Sequence, residues 1–251
     1  MCYHYSLSVN KNNGFCPMNF SKPLQIGRLV RRYKRFLADI ECEDGSVVTV
    51  HCPNSGSMMG LKELGLKVAF SMSDNPNRKL PYTLEMVQVE GAWVGVNTQW
   101  PNKLFQNAFV TEKLEAFKLY KTCQPEVRVG VQTRLDFLLT TPTQRCYVEV
   151  KNVTLMRNEG CAEFPDAVTL RGAKHLQTLM DLSDQGDAAS LVFMVQREDC
   201  TRFRPACDID PSYAKLLQQA YQKGVVVIAY SCKVSPTGIN IIGELPLELE
   251  I

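Results

Sequence analysis

Asp136 and the triplet Glu149-Val150-Lys151 lie on two consecutive strand-like segments, TRLDFLL and CYVEVK. If the turn between them is centred between Pro142 and Thr143, Asp136 and Glu149 are cross-strand partners, about 5 Å apart at Cβ. Two carboxylates that close repel each other unless something positive lies between them. Period-2 alternation puts Lys151 on the face of Glu149 and turns Val148 and Val150 toward a core. A face carrying Asp, Glu and Lys suits metal-assisted phosphodiester hydrolysis. Carboxylate oxygens, with the Val150 carbonyl, would hold Mg²⁺ (or Mn²⁺), and the lysine would orient an attacking water or offset charge. A further acid is expected from the preceding helix, at Glu112 or Glu115. A salt-bridged sheet surface competes on equal terms, because D-x(n)-E-x-K is a short pattern. The apolar residues Leu135, Phe137, Leu139, Val148 and Val150, expected on the opposite face, favour a packed hairpin.

The elements that must position these residues fall into two blocks. From Leu24 to about Val96 five short strands, RFLADIEC, SVVTVHC, KVAFSM, YTLEMVQVE and AWVGV, are separated by turn-rich segments and predict a small β-barrel. The segment NTQWPNKLFQNAF leaves this block and leads into a helix near 100–109. After it the pattern predicts a helix at 111–119, strands at 126–139 and 146–151, and a helix at 166–182. Strand LVFMVQ, helix PSYAKLLQQAYQK ending at Gly224, and strand VVVIAYSCKV follow. Helix and strand alternation after a hairpin predicts a mixed α/β sheet with helices on both faces. The division is residues 1–23 as an N-terminal extension, 24–100 as the barrel and 101–251 as the α/β domain.

Within the 166–182 helix, Ala167, Leu170, Ala173 and Leu176 to Leu179 are expected to form the buried stripe. Arg171, Lys174, His175 and Thr178 then share another face and could meet one phosphate site; a solvated helix face is the plainer reading. Asp166, after Pro165, reads as an N-cap. In the first block Arg28, Arg31, Arg32, Lys34 and Arg35 fall within eight residues and alternate with Tyr33 and Phe36. Such a run lets cations meet phosphates while an aromatic ring stacks on a base, or is simply a charged barrel rim. Asn54, Ser55, Gly56 and Ser57 form a polar turn that could hold a phosphate. Met58 and Met59 read as packing residues. His51 and Cys52 lack a located base and oxyanion hole for a nucleophile.

The 251 residues are 45% apolar and carry a net charge of +2, which suits one or two globular domains and is too mild to prove a nucleic-acid partner. Ten scattered cysteines without a C-x-x-C pair read as free thiols in a reducing cytoplasm. Three well-separated histidines disfavour zinc. No apolar run is long enough to span a membrane, and the first 20 residues lack the apolar core of a signal peptide and read as a loose tail. A homo-oligomer is an open expectation.

The stretches RRYKRFLADI, HCPNSGSMMG, SDNPNRKLPYTLE, VNTQWPN, RLDFLL, YVEVKNVTL and FPDAVTLRGAKHLQTL together resemble the sugar fermentation stimulation protein A family, over about residues 24–245. The resemblance implies an OB-like N-terminal domain and a C-terminal domain similar to PD-(D/E)xK nucleases. It also implies DNA binding without sequence preference and a role in regulating sugar, especially maltose, metabolism. Asp136 matches the motif aspartate, Glu149 the acidic residue and Lys151 the motif lysine; Leu135 replaces a proline that supplies no ligand. The expected function is therefore non-specific DNA binding with Mg²⁺-dependent nuclease activity. The alternative is a DNA-binding regulatory factor without catalysis. No helix-turn-helix candidate supports sequence-specific reading of an operator.

Overall fold

The computed structural model describes residues 18–130 and 133–250. In chain order its elements begin with strands β1 (Met18–Asn19), β2 (Gln25–Tyr33), β3 (Leu37–Cys42), β4 (Val47–His51), β5 (Lys67–Met72), β6 (Tyr82–Val89) and β7 (Ala92–Gly95). Helix α1 (Trp100–Val110) precedes strands β8 (Thr122–Val129), β9 (Thr133–Thr140), β10 (Arg145–Val153), β11 (Leu155–Asn158) and β12 (Gly160–Phe164). Helix α2 (Leu170–Asp184), strands β13 (Ala188–Val195) and β14 (Cys200–Pro205), helix α3 (Pro211–Gln222), and strands β15 (Val226–Ser235) and β16 (Gly238–Glu244) complete the chain.

Strands β2 to β7 form an OB-type barrel in the order β4-β3-β2-β5-β6-β7, and a bridge from His51 to Thr83 joins β4 to β6 and closes it. Closure removes the free edges that a six-stranded open sheet would expose. All five strands expected from the sequence are present. The sixth, β2, is the basic segment itself, pairing with both β3 and β5. Lys34 and Arg35 lie in the turn after it, at φ 47° and 63°.

The second part is a seven-stranded mixed sheet, β1-β16-β15-β13-β10-β9-β8, with β10, β13 and β15 parallel at its centre. Helix α1 covers one face, where Leu104 and Phe105 pack with Phe137, Val148, Val192 and Tyr230. Helices α2 and α3 cover the other, through Leu176, Leu179, Tyr213 and Leu217 against Leu191, Phe193 and Ala229. Ala69 and Met86 of the barrel join the α1 core, so barrel and sheet share buried apolar surface. Buried on both faces, the central strands read as nearly continuous apolar runs such as LVFMV, which makes a carboxylate among them conspicuous.

Several expectations need correction. The helix placed at 111–119 is a single 3₁₀ turn, Glu115–Phe117. Leu114 and Phe117 have helical spacing and are both buried, but Glu112 sits at φ 53° and Leu114 is extended, so the chain cannot continue from α1. The run placed at 126–139 is two antiparallel strands, since Val127 pairs with Leu135 and Gly130 takes a positive φ between them. The end of the presumed tail is structured: Met18 and Asn19 pair with β16, and the Phe20 ring meets Trp100 edge-on at 4.9 Å. Residues 1–17 lie outside the described residues. Strands β11, β12 and β14 form a third, small sheet that the sequence pattern does not announce. Among the described residues no helix is long and apolar enough to cross a membrane.

Candidate active site

The β9–β10 ladder runs from Arg145 opposite Thr140 to Val148 opposite Phe137, the register demanded by a turn centred between Pro142 and Thr143. The next step would pair Asp136 with Glu149, but the ladder ends there. Asp136 Oδ2 instead accepts the Val150 N–H at 2.8 Å. Leu135 packs in the core under α2 and Phe137 in the core under α1, so β9 twists through Asp136, and Leu135 does not share the face of Phe137 as expected. In an extended strand the N–H and C=O of one residue point to the same side. The Val150 carbonyl therefore faces the Asp136 side as its N–H does.

The other Asp136 oxygen, Oδ1, accepts the side-chain amide of Asn102 at 2.8 Å, from the first turn of α1. Glu149 is only 4% exposed, and its Oε1 accepts the Lys151 ammonium at 2.6 Å and contacts His175 Nδ1. Lys151 Nζ also lies 3.2 Å from His175 Nδ1, a nitrogen that can either donate to Glu149 or accept from Lys151 according to its tautomer. Glu149 Oε2 is buried and has no hydrogen-bond partner. Burial, then the charge of Glu149, pushes the Asp136 carboxyl up to about 6, against the opposing pull of the Val150 N–H and the Asn102 amide. Burial also acts upward on Glu149, but the hydrogen bonds and charges of His175 and Lys151 outweigh it and hold that carboxyl below its ordinary value.

Asn102, Asp136, Glu149, Val150 and Lys151 floor a cleft of about 660 Å³ between the barrel and the sheet. The 54–57 loop forms its barrel wall, and the segment from Phe164 to Gly172 the wall opposite. Arg32, Arg35, Lys62 and Arg171 also line it. Arg32 Nη2 donates to the carbonyls of Arg35, Asn54 and Gly56 at 3.0, 2.8 and 3.0 Å, which makes it the scaffold of the loop. Asn54 Oδ1 accepts the Gly56 N–H at 2.8 Å, so that amide is not available to a phosphate; Asn54 and Ser55 both line the cleft.

The basic run does not act as one surface, because a strand sends alternate residues to opposite sides. Arg31 stacks over Tyr33 at 4.6 Å and pairs with Asp39 at 2.7 Å, and the Tyr33 hydroxyl donates to Asp39 at 3.2 Å. Arg28 donates to the Gly65 carbonyl at 3.1 Å, and Lys34 is exposed; none of these four lines the cleft. On α2, Arg171 faces the cleft, Lys174 is exposed outside it, and His175 is buried behind Glu149 rather than poised for a phosphate. The helix's buried stripe is Gly172, His175, Leu176, Leu179, Met180 and Leu182; Leu170, expected in it, is 84% exposed because it stands in the first turn before the helix reaches the core. Thr169, not Asp166, caps α2 by accepting the Gly172 N–H. Asp166 instead accepts the Met58 N–H at 3.0 Å, and its carbonyl accepts the Ser57 hydroxyl at 2.7 Å.

Glu112 and Glu115 are exposed and away from the cleft, and Glu115 pairs with Lys118. The side chain reaching Asp136 from the N-terminal side is Asn102, whose place beside Pro101 in a helix start gave no spacing signal. Lys62 and the Asp166 tie were likewise invisible to local pattern. Met58 is buried as expected, whereas Met59 is 42% exposed. Cys52 is buried against Met58, and His51 faces Arg78, so they form no nucleophile and base pair.

Two family models match successive parts of the chain. Residues 30–96 match the SfsA N-terminal OB domain, and residues 99–238 match the sugar fermentation stimulation protein RE domain. A sugar fermentation stimulation protein homolog of Geotalea uraniireducens is 48% identical over 92% of this chain and 100% of its own length. One from Pelobacter propionicus is 50% identical over 90% of this chain and 98% of its own. The structure of Pyrococcus furiosus SfsA in complex with Ca²⁺ superposes with a TM-score of 0.84 at 26% identity, covering 92% of this chain and 98% of that one.

Proposed function

The chain belongs to the sugar fermentation stimulation protein family, and from its cleft we propose that it binds DNA without sequence preference and hydrolyses phosphodiester bonds there with a divalent cation. The observation that carries this reading is that Asp136 and Glu149 both lie on the cleft floor, with one buried Glu149 oxygen left without a hydrogen bond. A buried acceptor without a partner is costly. Burial and then the neighbouring Glu149 charge raise the Asp136 carboxyl, and a cation would offset both. Both features fit a cation.

The donor set is two carboxylates and a backbone carbonyl, all hard oxygens, which suits Mg²⁺, Mn²⁺ or Ca²⁺ rather than zinc. Asp136, Glu149 and the Val150 carbonyl would hold it. Among the described residues no third carboxylate or histidine completes a protein cage, so water and phosphate oxygens would fill the remaining positions, as is usual for Mg²⁺. The Ca²⁺ in the Pyrococcus furiosus relative supports a hard-cation site in this fold. When bound, such a cation polarises the phosphate and lowers the pKa of a coordinated water.

The remaining work falls to the chain's own groups. Asn102 and the Val150 N–H fix the Asp136 carboxylate in one orientation. His175 contacts Glu149 from behind, and Glu149 in turn accepts the Lys151 ammonium, which stands at the cleft floor to hold an attacking water by hydrogen bond. Arg171 and Arg35 supply charge to phosphate oxygens. The second reading, DNA binding without cleavage, is favoured by the short contact between Lys151 and Glu149, which occupies both groups with each other. Incubating the protein with single- and double-stranded DNA in Mg²⁺ or Mn²⁺ separates the two. Cleavage that EDTA and Asp136→Asn both abolish supports hydrolysis; intact DNA with retained binding leaves the binding module.

A further inference from the structure

Two ties fix the barrel to the α/β part beside the cleft. On one side Thr98 Oγ1, in the connection leading from β7 into α1, donates to the Pro53 carbonyl at 2.7 Å. On the other, Ser57 and the Met58 N–H donate to Asp166 at 2.7 and 3.0 Å. Gly56 approaches this second tie so closely that a Cβ there would stand 2.9 Å from Asp166 Oδ2. The cleft is thus walled by the barrel loop, the start of α1, β10 and the 164–172 segment, with its corners between barrel and sheet held by hydrogen bonds. Its volume of about 660 Å³ is that of a pocket for a small ligand, a class spanning roughly 300–1,000 Å³. A nucleotide or two can reach Asp136 and Glu149 at the floor.

The mouth carries a second feature. Val168 lines the cleft yet is 68% exposed, and Leu170, between the lining residues Thr169 and Arg171 but not itself lining the cleft, is 84% exposed. Around the same cleft Arg35, Lys62 and Arg171 are exposed, and among the described residues none has an ion-pair partner. Apolar side chains beside uncompensated cations match a base lifted from its stack and its adjoining phosphates.

We propose that the cleft takes DNA as a single strand, at an end or after a duplex end has frayed, with Val168 and Leu170 packing on the base at the mouth and the three cations following the phosphates. This rests on the DNA-hydrolysing reading above and names its substrate class. The test measures binding in Ca²⁺ by fluorescence anisotropy of a short labelled single strand, with unlabelled single strand or covalently closed circular duplex as competitor. The closed duplex is expected to compete at least about tenfold more weakly per nucleotide. The double variant Val168→Ser/Leu170→Ser is expected to bind the single strand about tenfold more weakly at an unchanged melting temperature. Equal competition by the closed circle, or wild-type affinity of the double variant, overturns the single-strand inference and leaves the DNA reading standing. Absence of binding to any of these DNAs overturns both.

Discussion

The Asp136 carboxylate accepts the Val150 N–H at 2.8 Å at the point where the β9–β10 ladder stops. A backbone group freed from the ladder is thereby satisfied by a side chain. The exchange brings Asp136 beside Glu149 and turns the Val150 carbonyl to the same side.

That arrangement is unfavourable without a cation, and Asp136→Asn should reveal it. The folded carboxyl titrates near 6, above its ordinary 3.8, so the metal-free protein loses stability as pH rises from about 4 through 6. An asparagine can keep the Val150 bond and, with the Asn102 amide turned over, the second one. The variant should therefore melt several degrees above wild type at pH 8 in EDTA, and the gap should close below pH 4. Added Ca²⁺ should raise the wild-type melting temperature at pH 8, less at pH 5 where protons compete, and leave the variant unmoved.

Lys151→Ala should lower Mg²⁺-dependent cleavage by about 100-fold or more while DNA affinity stays within a few-fold of wild type. Single-turnover rates and anisotropy measured on the same preparation check this. Equal losses in affinity and rate would assign Lys151 to binding alone.

The split of the basic run between cleft-lining and cleft-remote residues gives a contrast. Arg35→Ala and Arg171→Ala, both at the cleft, should weaken DNA binding for every sequence and reduce the salt slope by about 0.9 for each phosphate that is no longer neutralised. Arg31→Ala, engaged with Asp39 and Tyr33, should change neither.

Away from the cleft, Glu163 is 1% exposed and accepts Arg157 and Arg204 together. Burial acts upward on its carboxyl, but the two guanidiniums prevail and hold it below its ordinary 4.5. Its stabilisation is thus present above 4.5 and is lost as pH falls through the lower folded value. Glu163→Gln should cost about 3 kcal/mol at pH 7, and urea unfolding should show that difference shrinking below pH 4.5.

The hairpin was legible in the sequence because its register depends only on the turn centre and a period of 2, both local. The twist at Asp136 was not, since it depends on Leu135 and Phe137 serving different cores. His175 was misjudged for a related reason: a histidine in a polar-looking helix reads as solvent-facing until Glu149 appears behind it as its partner. Asn102 and Asp166 act across long sequence separations, 34 residues to Asp136 and 109 to Ser57, where no periodicity reports a contact. Strand β2 was obscured because Arg28, Arg31 and Arg32 do not alternate: a bulge between Leu29 and Arg31 breaks the period of 2, and the run read only as a charged rim or a phosphate contact.

The cation site itself is tested most directly by anomalous diffraction from crystals soaked in Mn²⁺. An anomalous peak is expected between the Asp136 and Glu149 carboxylates, within about 2.3 Å of an oxygen from each, and it should disappear in Asp136→Asn. A cleft without that peak at saturating Mn²⁺, or a cation bound elsewhere with Glu149 still held by Lys151 and His175 alone, would contradict the cation site.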